Sequence, residues 1–151
     1  MQLHQGRLFD HVHVRVADLE TSKRFYRPVL AAVGRELTLE SKDAFGADEL
    51  YVSADGTPTA GLHIAFQAHD RETVERFHEA GLAAGGRDNG APGERPYHPG
   101  YYSAYVLDPD GNNVEAVYHG PAKRSAPSVV IEAGGRKTRS SPQPFSRPRR
   151  P

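Results

Sequence analysis

Two histidines, His11 and His63, open two copies of one segment. His11–Glu36 (HVHVRVADLETSKRFYRPVLAAVGRE) lies over His63–Asp88 (HIAFQAHDRETVERFHEAGLAAGGRD) at a constant offset of 52, with 11 identities in 26 ungapped positions. Imidazoles are the commonest metal ligands and the usual general bases near neutral pH. Two of them at the same point of a repeated segment point to a shared site rather than to scattered surface polarity. His13 and Arg15 follow His11 with alternating valines between, so all three side chains fall on one strand face. That face is expected to line a wet cavity, with His13 and Arg15 contacting an anionic substrate. Further along, Tyr97, His98, Tyr101 and Tyr105 form a second polar aromatic group. Tyr101, Ser103 and Tyr105 share a face opposite Ala104 and Val106. Tyr105 and His98 are candidates for an acid or a substrate-orienting group, and Tyr101 for substrate binding.

The elements that must carry these residues follow from pattern. His11–Val16 alternates strictly and reads as a half-buried strand. Asp18 reads as a helix N-cap with Glu20 in the first turn. Phe25, Tyr26, Val29, Leu30 and Val33 recur at helical spacing, and Gly34 is the expected stop. Pro28 inside that helix should kink it or cost about 3 kcal/mol. Arg35–Glu40 and Glu49–Ser53 read as short strands, with Lys42–Asp48 as a hairpin or loop between them. The second copy repeats the strand over 62–68 and the helix from Asp70 to about Ala84. Residues 87–100 are rich in Gly and Pro and read as a loop, long enough to be a lid or rim. Tyr101–Leu107 and Asn113–His119 are strands around the turn Asp108-Pro109-Asp110-Gly111. The order is strand, helix, three strands, twice.

Composition bounds the rest. The 151 residues suit one domain with a single core. The zero net charge hides an asymmetry: residues 1–119 carry a net −7 and residues 120–151 a net +7. The latter stretch holds 6 of the 12 prolines and reads as a disordered basic tail. Its basic residues lack interleaved aromatics, so nucleic acid is not the expected partner. With no cysteine there is neither a disulfide framework nor a thiolate metal site. The start lacks the apolar core of a signal peptide, and no run approaches the about 18 apolar residues of a membrane span. A cytoplasmic protein without membrane association is the expectation.

The chain resembles the vicinal oxygen chelate superfamily, the glyoxalase, bleomycin-resistance and extradiol-dioxygenase group. The matching pieces are His11 seven residues before Asp18, Arg24-Phe25-Tyr26, Leu62-His63-Ile64-Ala65-Phe66, and Asp108-Pro109-Asp110-Gly111-Asn112-Asn113-Val114-Glu115. The resemblance covers residues 8–119 and implies an α+β fold, two tandem βαβββ modules (about 8–56 and 61–119) forming a curled mixed sheet around a central cleft. It also implies a homodimer and one divalent metal, Fe, Mn, Ni, Co or Zn, held by His11, His63 and Glu115. A two-His-one-carboxylate set leaves positions open for substrate oxygens. His13 is the rival for His11, although its counterpart in the second copy is Ala65. Glyoxalase-type members add a fourth ligand that doubles as base, and Glu49 is the nearest candidate. With Glu49 the site suits proton transfer next to a carbonyl, as in an isomerase or lyase. Without it, ring-cleaving dioxygenase chemistry or metal-assisted addition fits better. The competing class is a metal-free protein that sequesters a small molecule, as bleomycin-type resistance relatives do.

Overall fold

The computed structural model describes residues 8–123; the expected basic tail lies outside them from Arg124 onward. The first module runs β1 (Val12–Arg15), α1 (Leu19–Ala32), β2 (Leu39–Glu40), β3 (Ala44–Ala47) and β4 (Leu50–Ser53). The second runs β5 (His63–Gln67), α2 (Arg71–Ala83), β6 (Arg87–Glu94), β7 (Tyr102–Leu107) and β8 (Asn113–Tyr118). Each module forms its own four-stranded mixed sheet, in the orders β1-β4-β3-β2 and β5-β8-β7-β6. The fold is therefore α+β with two tandem βαβββ modules. The two sheets share no ladder, so neither closes the other within the chain.

Both helices start as the sequence dictates. Asp18 Oδ1 accepts the Thr21 N–H at 2.6 Å and Asp70 Oδ1 accepts that of Thr73 at 2.7 Å. Hydrogen bonding from these threonines holds both carboxyl groups below their usual range. α1 continues unbroken through Pro28. The helix ends break the repeat. In α1 the N–H of Arg35 reaches the Leu30 carbonyl, with Gly34 left-handed at φ +78°. In α2 Gly86 reaches Gly81, with Gly85 left-handed at φ +91°. The offset there is 51, so the pairing of Gly34 with Gly86 in sequence is not a pairing in structure.

Two further expectations are corrected. Ala44–Ala47, taken as part of a hairpin or loop, is a fully buried strand between β2 and β4. Its composition, two alanines and a glycine around Phe45, carries no strand signature. Gly46 is needed because a Cβ there would lie 2.7 Å from the Leu50 carbonyl. Arg87–Glu94, read as loop, is the edge strand of the second sheet, with two register shifts against β7. An edge is where a strand tolerates Pro92 and bulges.

One apolar core joins the modules, with Val14, Phe25, Tyr26, Val29, Phe45 and Val52 from the first and Val74, Phe77, Ala104, Val106 and Val114 from the second. Gly86 sits at the seam. A Cβ there would lie 2.5 Å from Val106 Cγ1 and 2.6 Å from Phe25 Cε2. Gly86→Ala is expected to cost about 3 kcal/mol by overpacking, measured by urea unfolding. Gly61→Ala has nothing within 4 Å and only an unfavourable φ of +70°, so it should cost about 1 kcal/mol.

Candidate functional site

The second sheet gathers most of the expected chemistry on the face away from α2. Register places Glu115 of β8 between Ala65 of β5 and Tyr105 of β7, with His63 one step along, opposite Asn113. Glu115 is only 2% exposed. A buried carboxylate must be paired or it destabilises the fold. His63 Nε2 donates to its Oε2 at 2.8 Å and the Tyr101 hydroxyl donates to its Oε1 at 2.8 Å. The His63 side chain is 54% exposed, so the pair faces open space. Burial, and then the Glu115 carboxylate itself, push the Tyr101 hydroxyl well above its usual pKa, so it stays protonated and keeps donating. The Tyr105 ring meets the His63 ring edge-on at 6.0 Å, and burial raises its hydroxyl too.

Beside this group lies a pair of histidines, His98 and His119. His98 is among the sequence candidates; His119 is not. They stack at 5.2 Å, and both meet the Tyr101 ring edge-on. His98 Nδ1 donates to the Pro99 carbonyl, so neutral His98 accepts at Nε2 from His119 Nδ1 at 2.9 Å. Burial, and secondarily His98, lower the His119 pKa from the ordinary 6.5, while Glu115 opposes the shift. The folded state thus favours neutral His119. Its contribution to stability is present above pH 6.5 and is lost as pH falls below that value. An NMR titration should place its midpoint below that of an ordinary histidine. His98→Ala should move it upward.

The first sheet carries the other candidates. His11 precedes β1, its side chain is 65% exposed, and its Nδ1 donates to Asp10 Oδ1 at 2.7 Å. His13 donates from Nε2 to Ser53 Oγ at 2.8 Å, and Ser53 Oγ donates to Asp55 Oδ1 at 2.7 Å. Arg15 Nε donates to the same Asp55 oxygen. His13 and Arg15 are thus engaged with Asp55 on the sheet face. Glu49 is exposed, just ahead of β4, and its carbonyl accepts from Val12. β4 pairs His13 with Tyr51, as β8 pairs Ala65 with Glu115. Since the repeat equates His13 with Ala65, Tyr51 stands where Glu115 stands in the second module. His11, His13, Leu39, Gly46, Leu50 and Tyr51 border a concavity of about 420 Å³. The larger depression, about 510 Å³, lies between α1 and α2 and includes none of these candidates.

An imidazole and a buried carboxylate 2.8 Å apart are a donor pair that a divalent cation fits. Among the described residues, no three His, Asp or Glu side chains converge within the chain. His63 and Glu115 come together; His11 and Glu49 do not join them.

This topology and this strand face define a class, the paired βαβββ proteins with a polar site on the sheet. Residues 8–116 match the Glyoxalase/Bleomycin resistance protein/Dioxygenase superfamily, and the chain belongs to it. A glyoxalase/bleomycin resistance protein from Albidiferax ferrireducens is 33% identical, with a TM-score of 0.65, over 74% of this chain and 98% of that one. An enzyme of the glyoxalase/bleomycin resistance protein/dioxygenase family from Burkholderia phytofirmans is 21% identical, with a TM-score of 0.57 (72% and 95% covered). A lactoylglutathione lyase from Agrobacterium tumefaciens is 23% identical, with a TM-score of 0.54 (75% and 94%). The last two bear on the fold alone. No curated protein matches. Among the described residues, no helix is long and apolar enough to cross a membrane.

Proposed function

We propose that this protein is a metal-dependent enzyme acting on a small, oxygen-chelating molecule. The reading rests on one observation: the buried Glu115 carboxylate, held by His63 and Tyr101 on an open sheet face. His63 and Glu115 would hold the cation, with His11 of a second copy as the third ligand. Bound there, a divalent metal supplies Lewis acidity toward substrate oxygens. The chain's own residues do the rest. Tyr101 keeps its proton and fixes one oxygen of Glu115. Tyr105 walls the open side of His63.

The register also bears on the reaction. Tyr51 in the position equivalent to Glu115 supplies no second carboxylate there, and Glu49 stands off the strand. Proton abstraction by a liganding Glu therefore loses its base. Oxygen chemistry or metal-assisted addition is the branch these residues support. One observation favours the alternative, a metal-free ligand-binding cleft: the His63–Glu115 hydrogen bond satisfies both groups without a cation.

Elemental analysis of the full chain, purified without chelator, separates the two readings. About one Fe, Mn, Co, Ni or Zn per chain, lost in His63→Ala, is the expected result. No metal in the wild type, even after each ion is added back, would leave the binding cleft as the function.

A further inference from the structure

On the same face as Glu115, beside the Tyr105 ring, lies a guanidinium with no anionic partner among the described residues. Arg15, Arg27, Arg35, Arg71 and Arg76 each pair with a carboxylate. Arg95 does not. Arg24 and Arg87 also lack one among the described residues, but those side chains are exposed. Arg95 is half-buried, and its Cζ lies 5.2 Å from the centroid of the Tyr105 ring. Its Nη2 donates to the carbonyls of Ala91 and Ser103, yet Nε is buried without a hydrogen-bond acceptor. Ser103 beneath it is fully buried. A buried donor left without an acceptor is unfavourable until a ligand oxygen meets it.

The strand is shaped to keep the arginine there. A Cβ at Gly93 would lie 3.2 Å from Arg95 Nη1, and one at Gly90 would lie 2.7 Å from Tyr105 Cδ2. Gly90 has φ +152°, and the two register shifts of β6 fall on either side of it. Bulges re-aim side chains, and they concentrate beside functional sites. Here they lay a positive charge, unpaired among the described residues, against the Tyr105 ring. The Tyr105 ring neighbours both the Arg95 guanidinium, 5.2 Å from its centroid, and the His63 ring, 6.0 Å from it. A ligand that engages both His63 and Arg95 thus reaches past the Tyr105 ring.

We infer that Arg95 is the residue that selects the substrate, by taking a carboxylate beside the Tyr105 ring while the substrate's oxygens chelate at His63 and Glu115. The inference rests on the proposed metal site for its chelating end only. Tyr97, 69% exposed and edge-on to Tyr101 at 4.8 Å, offers a planar ligand an aromatic rim.

Two arms test it on the full chain. In the first, Mn(II)-loaded protein is titrated calorimetrically with catechol and with 3,4-dihydroxybenzoate, which differ by the carboxylate. The wild type should prefer the acid by about 10–100-fold, the worth of one charged hydrogen bond. Arg95→Gln should erase the preference and leave catechol affinity and manganese content unchanged. In the second arm, metal-free protein is titrated with benzoate and with benzamide, following the Arg95 Nε–H resonance by NMR. Benzoate should shift it and benzamide should not. No response to benzoate overturns the inference whatever the metal does. So does a wild type that binds both catechols equally, or an Arg95→Gln variant that keeps the preference. A benzoate response in a protein that takes up no manganese upholds Arg95 and sinks the metal reading.

Discussion

Mixing two inactive variants is expected to restore metal binding. His11→Ala and His63→Ala should each lose metal affinity by more than about 100-fold, since each removes a ligand outright where even supporting groups are worth 10–100-fold. Unfolded together and refolded as a mixture, they should recover about a quarter of the wild-type metal. Half of the dimers are then mixed, and an isologous pairing gives each mixed dimer one site with both histidines intact. The reasoning starts from separation. β1 and β5 belong to different sheets, and His11 stands exposed on the near end of one while His63 faces Glu115 on the other. In β5, His63, Ala65 and Gln67 are all exposed, as a face awaiting cover would be. The first sheet of a second copy is the surface that carries His11. The rival ligand is tested in the same format: His13→Ala mixed with His63→Ala should recover nothing extra, because the His13→Ala chain holds its metal alone. No recovery in the first mixture would mean that His11 is not a ligand contributed across copies.

The repeat and the Asp-Pro-Asp-Gly-Asn stretch made the family and the module order legible, because both are local patterns. They also singled out His63 and Glu115, which the structure brings within 2.8 Å. What stayed hidden depends on register or on distant partners. Whether Glu49 or Tyr51 matches Glu115 turns on one step of strand pairing, which no periodicity in Asp48–Val52 reveals. The strand Arg87–Glu94 is written in turn residues because its edge position and bulges tolerate them. Arg95 therefore looked like one more charge in a loop. His119 gave no signal because its partner, His98, lies 21 residues away.

The Asp108 turn carries the second large effect. It read as a tight turn, and it is also the joint between the modules. Asp108 is 2% exposed. Its Oδ2 accepts the Tyr26 hydroxyl of α1 at 2.8 Å, and its Oδ1 accepts the N–H groups of Asp110 and Asn112 at 2.9 and 2.8 Å. Asp110 Oδ1 accepts from Ala17, ahead of α1, at 3.1 Å. Asn112, fully buried, donates to the Thr59 carbonyl and accepts from Leu62 N–H, so it grips the linker from both sides. Asp108→Ala strands the Tyr26 hydroxyl and two backbone donors at once. With about 1–3 kcal/mol for each buried donor left alone, a loss of about 4 kcal/mol is expected, a large share of a stability on the order of 10 kcal/mol. Tyr26→Phe removes one of these bonds and should cost only about 1 kcal/mol, since Asp108 keeps its other donors. Urea unfolding measures both, and hydrogen exchange locates the effect. Exchange in the Asp108→Ala variant should rise at Ala17–Tyr26 and Thr59–Leu62 as well as in the turn. A rise confined to residues 108–113, or a cost below about 1 kcal/mol, would make the motif a turn and nothing more.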